Sequence, residues 1–401
     1  MGGRRPARSD IQGVQRDHLT FAVYAVTSVW GWFLYSFGPS VPLLRVEQGT
    51  SRAVAGLHGT ALALGSVVSA AIAVTAVRRI GRRGLLVAGV GGAIVGVLLL
   101  TLSPGLPWTV LGALVVGVGG SSAFNAASPV LADHHREAGP AAISEANGAA
   151  AGVGVFAPLA VGASVALGLS WRGAVLVTVP LALGAMVAVA RAPQSPALAR
   201  RPQPRDSAVA VLPPRFWVAL AVVTCSVAVE FCLTYWAGDL LRQRTGVSGG
   251  VAAALISVII AGMAIGRLGG GRLTLRVGVE RLLLGALGVA AAGWAIVWQA
   301  ATVPAAVVGL LVLGLGVSVQ FPLALARLLR AAGGRTDVAA SWATLGAGVA
   351  SAAAPFALGA LSDVVGPHRG FVLVPVLLLV AAIGVVVAPA RRRVARRVDA
   401  R

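Results

Sequence analysis

The chain has 401 residues, 57% of them apolar and only 11% charged, with a mean hydropathy of +0.86. Soluble domains carry about a quarter charged residues, so a soluble fold is excluded and a membrane protein is expected. The formal charge of +20 would point to nucleic acid in a soluble protein, but all 33 basic residues are arginines set between apolar runs, with no aromatic-studded basic module, so no nucleic-acid partner is expected.

A polar, basic tail, residues 1–18, opens the chain. The apolar run after it is too long for a signal-peptide core and no small-residue cleavage pattern follows, so it is expected to stay as an anchor. Twelve apolar stretches, each long enough for a helix across a hydrocarbon core of about 30 Å, are then expected. The first six lie near Leu19–Leu44, Val54–Val77, Leu85–Leu102, Trp108–Leu131, Ala141–Leu169 and Ala174–Ala190. The second six lie near Phe216–Leu241, Val251–Leu268, Leu282–Ala301, Val303–Leu325, Val338–Leu361 and Phe371–Ala388.

A linker over residues 191–215, rich in proline and arginine, separates bundles 19–190 and 216–388, and a basic tail, 389–401, closes the chain. Adding 197 to a landmark before the linker finds its match after it: Arg172-Gly173 falls on Arg369-Gly370, Pro158 on Pro355, Gly119 on Gly316 and Gly81 on Gly278. One gapless offset over most of each half marks a duplication. With the amino terminus inside, 27 arginines fall on the cytoplasmic side and 6 outside (Arg45, Arg52, Arg172, Arg242, Arg244, Arg369). The positive-inside rule then places both termini in the cytoplasm and the protein in the cytoplasmic membrane.

No phosphate-cradling loop, metal-spaced histidines or nucleophile with a base is visible, so neither an enzyme nor a cofactor is expected. The run Asp133, His134, His135, Arg136, Glu137 reads as a loop, and no metal is expected there. Cys225 and Cys232, seven apart on one helix, would stand about 10 Å from each other, beyond the roughly 7 Å a disulfide spans, and read as buried thiols without chemistry.

In hydrocarbon an ionisable side chain costs about 2.5 to 3.5 kcal/mol even on the lenient insertion scale, so a midspan acid is a functional candidate. Glu230 is the fifteenth residue of its span and the clean instance. Desolvation favours a neutral carboxyl and water favours a charged one, so an acid that meets the two sides in turn carries a proton; the alternative is a permanently protonated structural group. Ser226, Glu230 and Thr234 share a helix face, and similar polar stripes run along span one (Tyr24, Thr27, Ser28, Tyr35) and span four (Ser121, Ser122, Asn125, Ser128). Span ten is drier, with Ser318 and Gln320, and Trp30 is deep enough to face a ligand. Singly, a serine on such a helix more often bonds its own backbone.

Glu145, at the inner start of span five, reads either as a helix cap or, with Asn147, as an inner gate. His58 is expected at the membrane interface, Asp239 hydrated at the outer end of span seven, and Arg267 with its head at the inner surface. With no lysine and no clear midspan arginine, a cation or a neutral amphiphile suits the site better than a phosphate ester or a multivalent acid.

Twelve spans in two halves, a polar central loop and the segment GRLTLRVG, Gly271 to Gly278, resemble the major facilitator superfamily. The segment is similar to the family's cytoplasmic signature; its counterpart keeps Arg79, Gly81, Arg82 and Arg83, while Arg78 and Leu275 stand where the family has aspartate. The resemblance implies an all-α fold of two pseudo-symmetric six-helix bundles, with spans one, four, seven and ten lining a central cavity. It also implies a cytoplasmic gate drawn from Arg79, Gly81, Arg82, Arg83, Gly271, Arg272, Arg276 and Gly278. Ala157-Pro158 stands where the family's exporters often carry Gly-Pro, and Ala354-Pro355 repeats it.

The expectation is a monomeric secondary transporter in the bilayer, moving a small solute by alternating access, coupled to protons through Glu230. Export of an apolar or cationic compound leads; uptake of a neutral solute, with or without protons, is the alternative. A non-transporting receptor or regulator on the same scaffold stands as the reading from another class.

Overall fold

The structure, a computed structural model, describes residues 14–103, 105–199, 212–333 and 335–388. Most of the amino-terminal tail, the middle of the linker and the carboxyl-terminal tail 389–401 lie outside the described residues. Among those described the chain is helical with no strand. The first half holds α1 (His18–Gln48), α2 (Arg52–Leu102), α3 (Leu106–His135), α4 (Gly139–Ala166), α5 (Arg172–Leu176), α6 (Thr178–Arg191) and the short α7 (Pro196–Ala199). The second holds α8 (Pro214–Thr245), α9 (Gly249–Val277), α10 (Val279–Gln299), α11 (Val303–Val317), α12 (Gln320–Ala331), α13 (Thr336–Val365), α14 (Pro367–Gly370) and α15 (Leu373–Val387).

Local chemistry sets many of these ends. Pro214 occupies the first turn of α8, where its missing N–H costs nothing, and Gly246 closes the helix in the left-handed region at φ 70°, donating its N–H to the Arg242 carbonyl. The Ser248 hydroxyl accepts from the N–H of Val251 and starts α9.

Ten helical stretches are long and apolar enough to cross a membrane. Two of them run for 51 and 61 residues, about 77 and 92 Å at helical rise, so each holds two crossings and the total reaches twelve. Gly81 breaks the first at φ 69° and ψ 171°, and a 3-10 turn at Arg136–Ala138 interrupts the second. The duplication is visible in the elements: α3 begins at Leu106 and α11 at Val303, α4 at Gly139 and α13 at Thr336, each pair 197 apart.

The chain divides into two compact units. Unit 1 gathers the residues up to Phe37, Leu64–Ala157 and the segment from Arg172 to the linker. Unit 2 gathers Gly38–Ala63, Pro158–Trp171 and the chain beyond the linker. The second unit therefore includes the ends of α1, α2 and α4 that carry few arginines. Inside each unit, small residues bring helices close. A Cβ added at Gly119 would sit 2.6 Å from the Ala93 nitrogen and the Gly89 oxygen, and one at Gly316 would collide with the backbone of Ala290. These two glycines are repeat partners, so the same α-helical contact, made where lipid supplies no hydrophobic drive between helices, is built twice.

Candidate functional site

In unit 2, Glu230 lies at the middle of α8, about 25 Å along the helix from Pro214. Its side chain is half-buried and makes no hydrogen bond or ion pair with a described residue. The charge of Arg267, on α9, is within electrostatic range of it. Arg267 is exposed, and its Nε donates to the Ser318 carbonyl at 3.4 Å.

The hydroxyls flanking Glu230 are turned to their own helix: Ser226 donates to the Val222 carbonyl at 2.8 Å and Thr234 to that of Glu230 at 3.1 Å. Ser318 donates to the Leu315 carbonyl at 2.6 Å, and Gln320 is fully buried, with its Nε2 on the Gly316 carbonyl and its Oε1 without a donor. Of the residues expected around Glu230, the described structure thus leaves the carboxyl itself uncommitted. Cys225 and Cys232 are free thiols.

In unit 1 the expected residues fall into two groups. Tyr24 and Glu145, expected in the cavity and at the gate, meet: the tyrosine hydroxyl donates to Glu145 Oε2 at 3.0 Å. Arg16 clamps the same carboxylate through two bonds of 3.0 and 2.9 Å. Thr27 donates to the carbonyls of Tyr24 and Ala146, tying α1 to α4, while Asn147 bonds its own helix at Ile143. Trp30 stacks on Phe33 at 6.0 Å and leans on Phe124, and Tyr35 packs over Gly154. Ser121 and Ser122 are buried and pair with Ser66 and Ser69 of α2 at 2.6 and 2.8 Å. Ser28 is half-buried and Asn125 exposed, and neither bonds a described residue.

At the arginine-rich end of unit 1, Arg82 meets Asp133 at 2.6 Å and the Ala197 carbonyl at 2.8 Å. Arg83 gathers the carbonyls of Val189, Ala190 and Ala192 at the end of α6, a cation where the helix dipole is negative. Arg79 and Arg276 are exposed. Gly278 repeats the backbone of Gly81, with φ 82° and ψ 149°. Gly271 and Arg272 lie in α9 with their side-chain positions outside the description.

Two readings are corrected. Asp239, expected hydrated, is 5% exposed and bonds Arg52 Nε at 2.6 Å, because α2 delivers an arginine to it. His58, expected at an interface, is fully buried with Nδ1 on the Ala55 carbonyl at 2.9 Å. Arg16 and Arg52 carried no sequence signal of their partners, which lie 129 and 187 residues away.

A family model for the major facilitator superfamily matches residues 21–333 and 239–401. The chain belongs to the major facilitator superfamily. Its fold is that of solved members of the superfamily. A nucleoside transporter, NupG, superposes with a TM-score of 0.75 at 10% identity, covering 94% of this chain and 99% of that one. A bacterial homolog of the human lysosomal transporter Spinster, in an inward-facing and unoccupied conformation, gives 0.72 at 16% identity over 94% and 98%. The xylose transporter XylE from E. coli gives 0.72 at 12% over 91% and 97%. No curated protein matches in sequence. At these identities the likeness to solved structures is one of fold, that of a multi-pass helical membrane protein.

Proposed function

We propose that this chain moves a small solute across the cytoplasmic membrane by alternating access, driven by protons, with both termini in the cytoplasm. The observation that carries this reading is Glu230: an acid at mid-helix, half-buried, with no bond to a described residue and the charge of Arg267 within range. Such a group is costly in hydrocarbon and is free to bind and release a proton as its surroundings change. Proton coupling needs a titratable site of this kind, and no other acid stands at mid-helix without a partner among the described residues. Tyr24, Trp30 and Tyr35 on α1, with Asn125 on α3, supply aromatic and amide groups that suit an apolar or cationic solute; export is the direction favoured and uptake of a neutral solute the alternative. The Arg16–Glu145–Tyr24 cluster, with Arg79, Arg82, Arg83 and Arg276, serves the cytoplasmic gate in this reading.

Arg267 favours a second reading of the cargo. A cation within electrostatic range of an anion suits a solute that carries both charges, so a zwitterion competes with a simple cation. The test is reconstitution into proteoliposomes with an internal pH-sensitive dye and a solute panel containing cationic, neutral and zwitterionic members. Wild type is expected to move protons with one class, and Glu230→Gln to stop proton movement. Proton flux unchanged in Glu230→Gln removes the assigned carrier, and no solute-dependent flux at all in wild type favours a receptor or regulator on the same scaffold.

A further inference from the structure

The arginine-poor end of unit 2 contains a cavity of about 450 Å³ lined by Arg45 of α1, Arg52 of α2, and Asp239, Arg242 and Gln243 of α8. Its charges do not balance. Asp239 is the one acid in the lining, and Arg52 already holds it at 2.6 Å, with Arg45 Nη2 3.8 Å from its other oxygen. Asp363 of α13 stands just outside, but it spends both oxygens on the N–H groups of Arg52 and Ala53, at 2.9 and 2.8 Å, and reaches the Arg52 guanidinium only at 3.5 Å. Arg45 Nε is buried without an acceptor, and Arg242 makes no ion pair or side-chain hydrogen bond with a described residue. Three guanidinium groups face Asp239 in the lining and Asp363 just outside it, which leaves one positive charge uncompensated.

Arginines at this end run against the membrane's charge bias, which puts 27 of the 33 at the other end. Half of the remaining six converge on this one cavity. A guanidinium offers a planar fork of donors matched to the two oxygens of a carboxylate or phosphate, and the volume lies within the range of small-molecule sites. Arg242 is twelve residues from Glu230 on α8, about 18 Å along the helix, so this is a different place from the transport site.

We propose that this cavity binds a multi-oxygen anion, a phosphate or carboxylate group, held by Arg45 and Arg242 beside the Arg52–Asp239 pair. Bound there, the anion ties the ends of α1, α2 and α8 to one another, and it stabilises whichever conformation gathers them. The group comes either from a soluble anion or from the headgroup of an acidic lipid.

The experiment titrates inorganic phosphate into the purified full-length chain in an uncharged detergent, at constant ionic strength set with chloride, by calorimetry and by thermal melting. Saturable binding and a rise in Tm of a few degrees are expected for wild type. Arg242→Gln, whose guanidinium bonds no described residue, should melt like wild type without phosphate and bind it about tenfold or more weakly. Arg45→Gln should also weaken binding, and Arg191→Gln should not. Equal binding in wild type, Arg242→Gln and Arg45→Gln overturns the site, as does the absence of any effect beyond that of chloride. Repeating the titration in nanodiscs separates the sources. Phosphate binding suppressed by phosphatidylglycerol but not by phosphatidylcholine, with the suppression lost in Arg242→Gln, assigns a lipid headgroup; equal binding in both assigns a soluble anion.

Discussion

Gly81 and Gly278, repeat partners 197 residues apart, share one backbone conformation, φ 69° and ψ 171° in the first and φ 82° and ψ 149° in the second. Each stands at the break between the second and third crossings of its half, so the duplication extends to the dihedral angles of its turns. This region of φ/ψ space is essentially closed to residues with a Cβ. Nothing lies within 4 Å of a Cβ built at either site, so the constraint is in the backbone and not in the packing.

Replacing either glycine by alanine is therefore expected to cost about 1 to 3 kcal/mol. Thermal melting of Gly81→Ala, Gly278→Ala and the double variant would read it, and the two costs should add because the sites share no neighbour. A pair of alanine variants as stable as wild type would show that these turns relax without strain.

The Arg52–Asp239 pair is mostly buried, with side chains 20% and 6% exposed. Removing Asp239 leaves the Arg52 guanidinium with only the longer contact to Asp363 at 3.5 Å, so Asp239→Ala is expected to cost about 3 kcal/mol. The double variant Arg52→Ala with Asp239→Ala should recover part of that loss, and a double-variant cycle measures the coupling. A cost for Asp239→Ala under about 0.5 kcal/mol would mark the pair as a hydrated surface contact.

Glu230→Gln is expected to leave the melting temperature within a degree or two of wild type, since the carboxyl bonds no described residue. This separates loss of coupling from loss of fold in the transport assay. A large drop in Tm would instead identify Glu230 as a structural hydrogen-bonding group.

Asp17 precedes α1 and caps it, accepting from the Thr20 N–H at 2.9 Å and the Thr20 hydroxyl at 2.7 Å, with His134 Nε2 at 2.7 Å. Partial burial opposes its charge, but these bonds outweigh that and hold the carboxyl below the ordinary aspartate range. A group whose pKa is depressed on folding contributes stability above the unfolded value of about 3.9, and loses it as pH falls through the folded value. Asp17→Ala should accordingly melt lower than wild type at pH 7, by the equivalent of about 1 kcal/mol or less, with the gap narrowing below pH 4. The same gap at pH 7 and pH 3 would contradict the assignment.

Much of this architecture is legible along the chain. Hydropathy marks the crossings, because a helix must satisfy its own backbone in lipid and present some twenty apolar residues to it. The gapless offset marks the repeat, and the structure carries it into helix starts and into Gly81 and Gly278. Glu230 stands out because an acid in a long apolar run is conspicuous by composition alone. The stripe serines were less informative: Ser226 and Thr234 bond their own helix, and Ser121 and Ser122 zip α3 to α2, both ordinary uses of a hydroxyl in an apolar bundle.

The sequence by itself determined the number of crossings, the duplication, the uneven spacing of arginine along the chain and the place of one acid at the middle of its helix. All of these are properties of single segments, written in local composition and spacing. Only the tertiary structure decided that Asp239 is buried against Arg52, that Glu145 takes both Arg16 and Tyr24, and that three arginines from separate helices share one cavity. Charge pairing depends on atoms within a few ångströms contributed by positions more than a hundred residues apart, and no periodicity along one helix records which other helix will stand beside it.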